Sequence, residues 1–394
     1  MPEIKYLPIN LDVENKSILV RLDLNVPIKN KEIQDHTRIY SSLPLLKDLV
    51  KRKAKIIIIT HLGRPKGIKN KDLSLTPIYK FLKEKLNTNL YFFTGNIDSE
   101  TKNKSSYLKA GEILLLDNIR FFRGENENDD SFAKNLSTLG DIYINDAFSC
   151  SHREQASVHK ITKYVKQCYA GPLVKTEVEA IDSIIKDKKK PVTCIIGGSK
   201  ISTKIEIIKN LIPKFENIVI VGGMANNVLK HKGFEIGKSI NEDKCETIIK
   251  EIFSLAKKYN CKIVYPKDVS TGKNVGDNAY IKKLTDIKND DMILDIGPET
   301  IEMIKSIIGD SKSVLWNGPA GYFENHNFAH GSIEIAKKII SLKNNIYSVA
   351  GGGDTIAVLN KTKTFEHFNF VSTAGGAFLE YLEGKEIPGI KALI

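Results

Sequence analysis

The chain has little of what would place it outside the cell or in a membrane. Its five cysteines (Cys150, Cys168, Cys194, Cys245 and Cys261) are scattered, odd in number and never spaced C-x-x-C. Reduced thiols in a cytoplasmic protein are therefore expected, rather than a disulfide framework. No apolar run approaches bilayer-spanning length. The opening MPEIKYLPIN has no basic stretch leading into an apolar one, as a secretory signal would have. Low-complexity tracts and short-period repeats are missing too. The scarcest charged residue is arginine: only seven of the 59 basic residues, all within the first 153 positions.

The remaining 52 cations are lysines, and the formal net charge is +12. Such a balance fits a nucleic-acid binder or simply a solvated lysine surface. A chain that uses lysine for generic positive charge keeps its arginines for sites needing a planar, bidentate fork. A nucleic-acid groove would spread them along its length. Here they cluster in loops beside histidines, which argues against that reading.

With 394 residues, 41% of them hydrophobic, the chain can build more than one core. Short β-branched runs alternate with helical patterns. Strands are expected at 18–23, 55–60, 90–93, 113–116 and 141–145, then at 192–196, 218–221, 262–265, 292–295, 313–316, 346–350 and 368–372. Repeated β-α alternation implies parallel sheets covered by helices on both faces. A dozen strands exceed one comfortable open sheet. The expected fold class is α/β: two Rossmann-like three-layer α/β/α lobes with parallel sheets. The segment from Gly171 to Pro191 has helical spacing in Val174, Val178, Ile181 and Ile185, and is either a hinge helix joining the lobes or an ordinary surface helix.

Ligands of open α/β sheets bind beyond the carboxyl ends of the strands. In LVRLDLNVP, alternation puts Leu22, Leu24 and Val26 on one face and Arg21, Asp23 and Asn25 on the other. The next loops give THLGRP, with His61, Gly63 and Arg64; LLLDNIRF, with Arg120; and INDAFSCSHRE, with His152 and Arg153. Arg38 follows the first loop. Arginines and histidines converging on one sheet edge point to an anionic, phosphate-bearing small ligand.

The second half has glycine-rich loops instead. CIIGGSKISTKIEIIKNLI reads as strand, glycine turn and helix, with an apolar stripe of Ile201, Ile205, Ile208 and Ile212. Lys200 and Lys204 share another face near the helix start. Glycines before a helix N-terminus, with lysines aimed alike, make a phosphate cradle. VGGMANN, WNGPAGYFE, AGGGDT and STAGGAFLE repeat the theme. Asp354 has two readings, a helix N-cap and a Mg²⁺ ligand. GFEIGKS is one residue short of a Walker A loop, CSHR lacks the partners of a zinc site, and GGSK fails the nucleophile-elbow spacing. No G-x-G-x-x-G follows the first strand, which removes the main support for a dehydrogenase.

Assembled in order, RLDLNVP, THLGRP, DNIRF, GGSKISTKI, VGGMA, LWNGPAGYFE, AGGGDT and VSTAGGAFLEYLEGK make the chain closely resemble the phosphoglycerate kinase family from end to end. The resemblance implies reversible phosphoryl transfer between 1,3-bisphosphoglycerate and ADP, giving 3-phosphoglycerate and ATP with Mg²⁺ on the nucleotide. It implies a phosphoglycerate-binding domain at 1–170, a hinge helix at 171–190, a nucleotide-binding domain at 191–378 and a final segment, 379–394, returning to the first domain. The domains would close across a cleft in a monomeric, cytoplasmic enzyme. Asp23 and Asn25 would hold the glycerate, with Arg21, Arg38, His61, Gly63, Arg64, Arg120, His152 and Arg153 around it. Arg38 and Lys200 would stabilise the phosphoryl group in transfer, and Asp354 would contact the metal. Lys204, with Gly198, Gly352, Gly353 and Thr355, would hold the nucleotide phosphates. Asn317 would line the nucleotide site, Glu324 would bind the ribose, and Gly222, Gly223 and Gly297 would flank the adenine. Two positions depart from the family pattern: Thr203 replaces an aspartate before the second lysine, and Ala374 replaces the first glycine of a triplet. Arg52 and Arg123 receive no role.

Overall fold

The structure, a computed structural model, describes residues 3–186 and 189–394. The chain divides into two compact units, one running through Val178 and including Glu386–Ile394, the other covering Glu179–Lys385. The first contains β1 (Ser17–Leu22), a small antiparallel pair β2 (Ile28–Lys29) and β3 (Glu32–Ile33), β4 (Lys55–Ile59), β5 (Leu90–Phe93), β6 (Ile113–Leu116), β7 (Ile142–Asp146) and β8 (Gln167–Ala170). Six of these form a wholly parallel sheet in the order β5-β6-β4-β1-β7-β8.

Burial explains the order. Ile56–Ile59 of β4 are all buried, as a parallel strand covered on both faces must be. Ile18, Val20 and Leu22 of β1 continue through Leu24 and Val26 into a core shared with Leu43, Leu46 and Leu49 of the helix Thr37–Lys51. Arg21 stands on the opposite face. The strand ends at Leu22, so Asp23 and Asn25 belong to the loop beyond it and not to the strand itself.

The second unit contains β9 (Val192–Ile196), β10 (Asn217–Ile220), β11 (Lys262–Val264), β12 (Asp268–Gly272), β13 (Tyr280–Lys283), β14 (Met292–Ile296), β15 (Ser313–Asn317), β16 (Tyr347–Gly351) and β17 (Phe370–Ser372). Its main sheet is parallel, in the order β11-β10-β9-β15-β16-β17. Trp316, Ile195, Val219 and Val314 of that sheet meet Ile304 and Ile335 of flanking helices in one core. The other three strands form a separate antiparallel sheet, β13-β12-β14. This corrects the expectation of parallel pairing for the segment 292–295, since periodicity reports burial and not the partner strand.

The helix Pro172–Ile185 runs across the boundary between the units. Its start is fixed from β7: Asp146 Oδ1 accepts the backbone N–H groups of Leu173 (2.7 Å) and Val174 (3.4 Å). Asp187 and Lys188, in the lysine-rich run expected after this helix, lie outside the described residues. At the other terminus, Gly389 N–H donates to Ser151 O (2.8 Å), and Lys5 N–H donates to Leu393 O (2.9 Å), within the first unit. Among the described residues no helix is long and apolar enough to cross a membrane.

Candidate active site

In the first unit, β6, β4, β1 and β7 are neighbours, so their C-terminal loops lie side by side at strand spacing. Asp23 leaves β1 and receives Arg38 Nη1 at 2.6 Å and the Ser149 hydroxyl. Arg38 reaches it from the first turn of the helix Thr37–Lys51, and donates to Asn25 O as well (3.2 Å). Asn25 Oδ1 accepts Gly63 N–H (2.9 Å), tying the loop after β1 to that after β4. Gly63 O in turn accepts Arg120 Nη1 (3.0 Å), while Arg120 Nη2 donates to Gln155 Oε1 (3.1 Å). Arg153 Nε donates to His152 Nε2 at 3.2 Å. Arg64 is exposed. Arg64, Arg120 and Arg153 line a cavity of about 550 Å³ together with Lys66 and Arg123.

The concentration of guanidinium groups sets the electrostatics. Burial lowers the Arg120 pKa to about 10, with Arg21 and Arg153 acting in the same direction. His61 is held well below its ordinary value by burial and by Arg21, Arg120, Arg38 and Arg153, so it is neutral. Asp23, His61 and Cys150 bring potential ligand atoms within 4.8 Å of one another. Four arginines acting on His61 oppose a divalent cation there.

Arg21 is placed differently from the other arginines. It is fully buried: Nε donates to Ser157 Oγ (3.0 Å), Nη1 to Leu22 O, and Nη2 faces His61 Nδ1 at 3.2 Å. A side chain with no exposed surface supports the pocket from behind and does not contact a ligand. Arg52 is also accounted for. It ends the helix Thr37–Lys51, paired with Asp48 at 2.9 Å.

In the second unit, the loops after β9, β10 and β15 pack backbone against backbone, and the loop after β16 joins them through Asn317 and Thr355 side chains. Gly318 has φ 109°, and a Cβ there would lie 2.2 Å from Gly197 O. Only glycine satisfies both conditions. Lys204 extends back into this junction, where its ammonium donates to Gly197 O, Asn317 O (3.1 Å) and Asn317 Oδ1 (2.6 Å). All three acceptors are neutral. Burial lowers the Lys204 pKa to about 8, against a weaker opposing effect of the Asp354 carboxylate, which makes no hydrogen bond to it.

A cavity of about 240 Å³ opens beside the loops, bounded by Gly198, Gly222, Gly223, Pro319, Glu324 and Asp354, with apolar walls from Ala225, Val269 and Leu294. Other expected nucleotide residues lie behind it. Asn317 is buried, its amide split between Lys204 and Gly351 O (2.7 Å). Thr355 is buried and its hydroxyl accepts Gly318 N–H at 2.7 Å. Gly297 packs on Asp268, whose carboxylate takes the Glu299 and Thr300 N–H groups at 2.9 and 2.8 Å. Gly352, with φ 98°, caps the helix Gly353–Lys361. The N-cap reading of Asp354 therefore fails, and its exposed carboxylate sits in the first turn.

The phosphate loop also differs from the sequence expectation. The helix begins at Ile205, not near Ile201, so Lys200 and Lys204 do not share a helical face. Lys200 is exposed in the preceding turn, where its carbonyl accepts the Thr203 hydroxyl at 2.8 Å. Sequence reading missed Glu125, Ser149, Gln155 and Ser157 in the first unit, and Asp268 and Asp295 in the second. Their roles depend on partners far away in the chain, and no local motif marks them.

Two parallel α/β lobes, with arginines ending the strands of one and a glycine–lysine junction ending those of the other, define the class: a two-lobed phosphotransferase. The family model for phosphoglycerate kinase matches residues 9–385. A phosphoglycerate kinase from Wolbachia sp. subsp. Drosophila simulans is 44% identical over 98% of this chain and 97% of its own, and one from Xanthobacter flavus is 41% identical over 97% of each. The solved structure of phosphoglycerate kinase from Coxiella burnetii superposes with a TM-score of 0.92 at 37% identity, covering 98% of this chain and 97% of that one. The chain belongs to the phosphoglycerate kinase family. Its reaction is the family's: reversible phosphoryl transfer from 1,3-bisphosphoglycerate to ADP, giving 3-phosphoglycerate and ATP.

Proposed function

We propose that the two units divide this reaction, the first holding the glycerate substrate and the second the nucleotide. The observation that carries the reading is the pair of unlike cation sets. In the first unit, Arg38, Arg64, Arg120 and Arg153 present forks suited to a carboxylate and phosphate, with Asp23, Asn25, Gly63, His61 and His152 around them. In the second, Lys204 hydrogen-bonds only neutral oxygens among the described residues and feels Asp354 only as a weaker charge, so an incoming phosphate supplies its first hydrogen-bonded counter-charge.

Within the second unit, the apolar wall takes the base, Glu324 the ribose, and Gly198, Gly222, Gly223, Gly352 and Gly353 the backbone side of the phosphates. Asp354 is the residue that would hold Mg²⁺. An exposed carboxylate beside the cavity suits a hard cation that shares its shell with water and phosphate oxygens. The Thr203 hydroxyl, turned to Lys200 O, offers no second carboxylate. Such an ion neutralises phosphate charge. Arg38 and Lys200 then bear on the transferred group, which needs positioning and cations more than a covalent nucleophile. The enzyme acts as a monomer, since every proposed contact comes from one chain, and its five free cysteines suit the reducing cytoplasm.

A coupled assay of ATP formation with Mg²⁺, run beside calorimetric titration of each ligand, tests the division. Lys204→Met is expected to weaken ADP binding at least tenfold and leave 3-phosphoglycerate binding unchanged. Equal loss of both affinities would contradict it.

A further inference from the structure

Arg21 and His61 raise a question that the reaction itself does not answer. A guanidinium with no exposed surface is costly to bury unless its charge and its donors are matched. Two carboxylates offset its charge, Glu125 and Asp23, and Glu125, itself fully buried, is linked to it through a serine. Ser157 N–H donates to Glu125 Oε2 (2.8 Å), Ser157 Oγ donates to Glu125 Oε1 (2.7 Å), and Arg21 Nε donates to Ser157 Oγ (3.0 Å). At the other end, Arg21 Nη2 lies 3.2 Å from His61 Nδ1.

Guanidinium has only donors, so an imidazole nitrogen within hydrogen-bond reach of it must accept. The Cys150 thiol, 3.7 Å from the same nitrogen, is compatible with that polarity because S–H can donate to it. Nδ1 is therefore the unprotonated nitrogen. The guanidinium groups of Arg21, Arg120, Arg38 and Arg153 all oppose a second proton, with burial acting in the same direction. The ring's proton is left on Nε2, which makes no hydrogen bond to another described residue.

We propose that Glu125, Ser157 and Arg21 form a buried positioning chain that fixes His61 as a neutral imidazole with its proton on Nε2, presenting a hydrogen-bond donor to an acceptor oxygen of the bound phosphoglycerate. The proposal rests on the reading that the first unit holds the glycerate. Glu125, Ser157 and Arg21 touch no ligand and act through His61. The chain gives the pocket a fixed neutral donor in place of another positive charge, so this contact is the same on either side of neutral pH.

The direct test reads the wild-type protein and uses a variant only for assignment. Two-bond ¹⁵N–¹H NMR of the ¹⁵N-histidine-labelled protein, with His61 assigned by comparison with His61→Asn, reads the tautomer. A neutral Nε2–H pattern from pH 6 to 8 is expected, and an Nδ1–H or imidazolium pattern would overturn the proposal. Ser157→Ala, the mildest cut in the chain, is expected to mix the tautomers and raise KM for 3-phosphoglycerate roughly tenfold, with KM for ATP unchanged. Arg21→Lys, which keeps the charge but loses the fork, should act in the same direction. If both variants keep the wild-type tautomer and KM, the chain has no positioning role. Unchanged 3-phosphoglycerate affinity in His61→Asn would instead refute the pocket assignment and the donor role with it, whatever tautomer NMR reports.

Discussion

At the scale of single residues, the second unit keeps two titratable groups in unusual states. Lys204, hydrogen-bonded to neutral oxygens, is lowered by burial to a pKa of about 8. Its grip on phosphate depends on charge, so ADP affinity should fall as pH rises through about 8. Titration calorimetry from pH 6.5 to 9 would show this slope in the wild type and a flat profile in Lys204→Met. Asp295 lines the cavity beside the glycine loops, buried, and among the described residues accepts only the backbone N–H groups of Ile296 and Gly331 (both 2.8 Å). Burial raises its pKa from 3.8 to about 7. The folded chain therefore holds a proton that the unfolded chain releases between those values. This residue's contribution to stability falls as pH rises across that window and is level above it. Urea midpoints of Asp295→Asn at pH 5 and pH 8 should differ in the wild type's favour at the lower pH, relative to the same comparison at the higher. An unchanged pH dependence would place the carboxyl in contact with water.

At the scale of elements, the sites depend on how strand ends meet helix starts. The helix Pro298–Asp310 begins after Gly297 and is capped from the neighbouring strand by Asp268. Asp268→Ala leaves two helix-start N–H groups, that of Thr300 buried, without that acceptor and should cost about 1–2 kcal/mol in urea denaturation. Glycine at 297 is required by this cap, since a Cβ would lie 2.3 Å from the Asp268 carboxylate. Elements were also where sequence reading succeeded and failed most clearly. Buried parallel strands announce themselves as β-branched runs, four isoleucines in β4 and, in β9, a run interrupted only by Cys194. β13, Tyr-Ile-Lys-Lys and largely exposed, has no such signature, and β8 has one fully buried residue in four. The antiparallel pairing of β14 with β12 is a tertiary choice that no single segment records.

At the scale of the whole molecule, the residue types at strand ends were legible because loops after parallel strands are where ligands bind. Which of them face a ligand was not. Arg21 reads as one more arginine of the patch until its burial behind His61 is seen. The socket joining Lys204 to Asn317 spans 113 positions, beyond any motif. The central claim is that substrate and nucleotide are handled by separate units. Arg38→Ala tests it most directly, with turnover followed in the coupled assay and ADP affinity by calorimetry on the same preparation. Turnover should be abolished while ADP binds within about twofold of wild type, a difference well under 1 kcal/mol. An ADP affinity that fell as far as the rate would contradict the account.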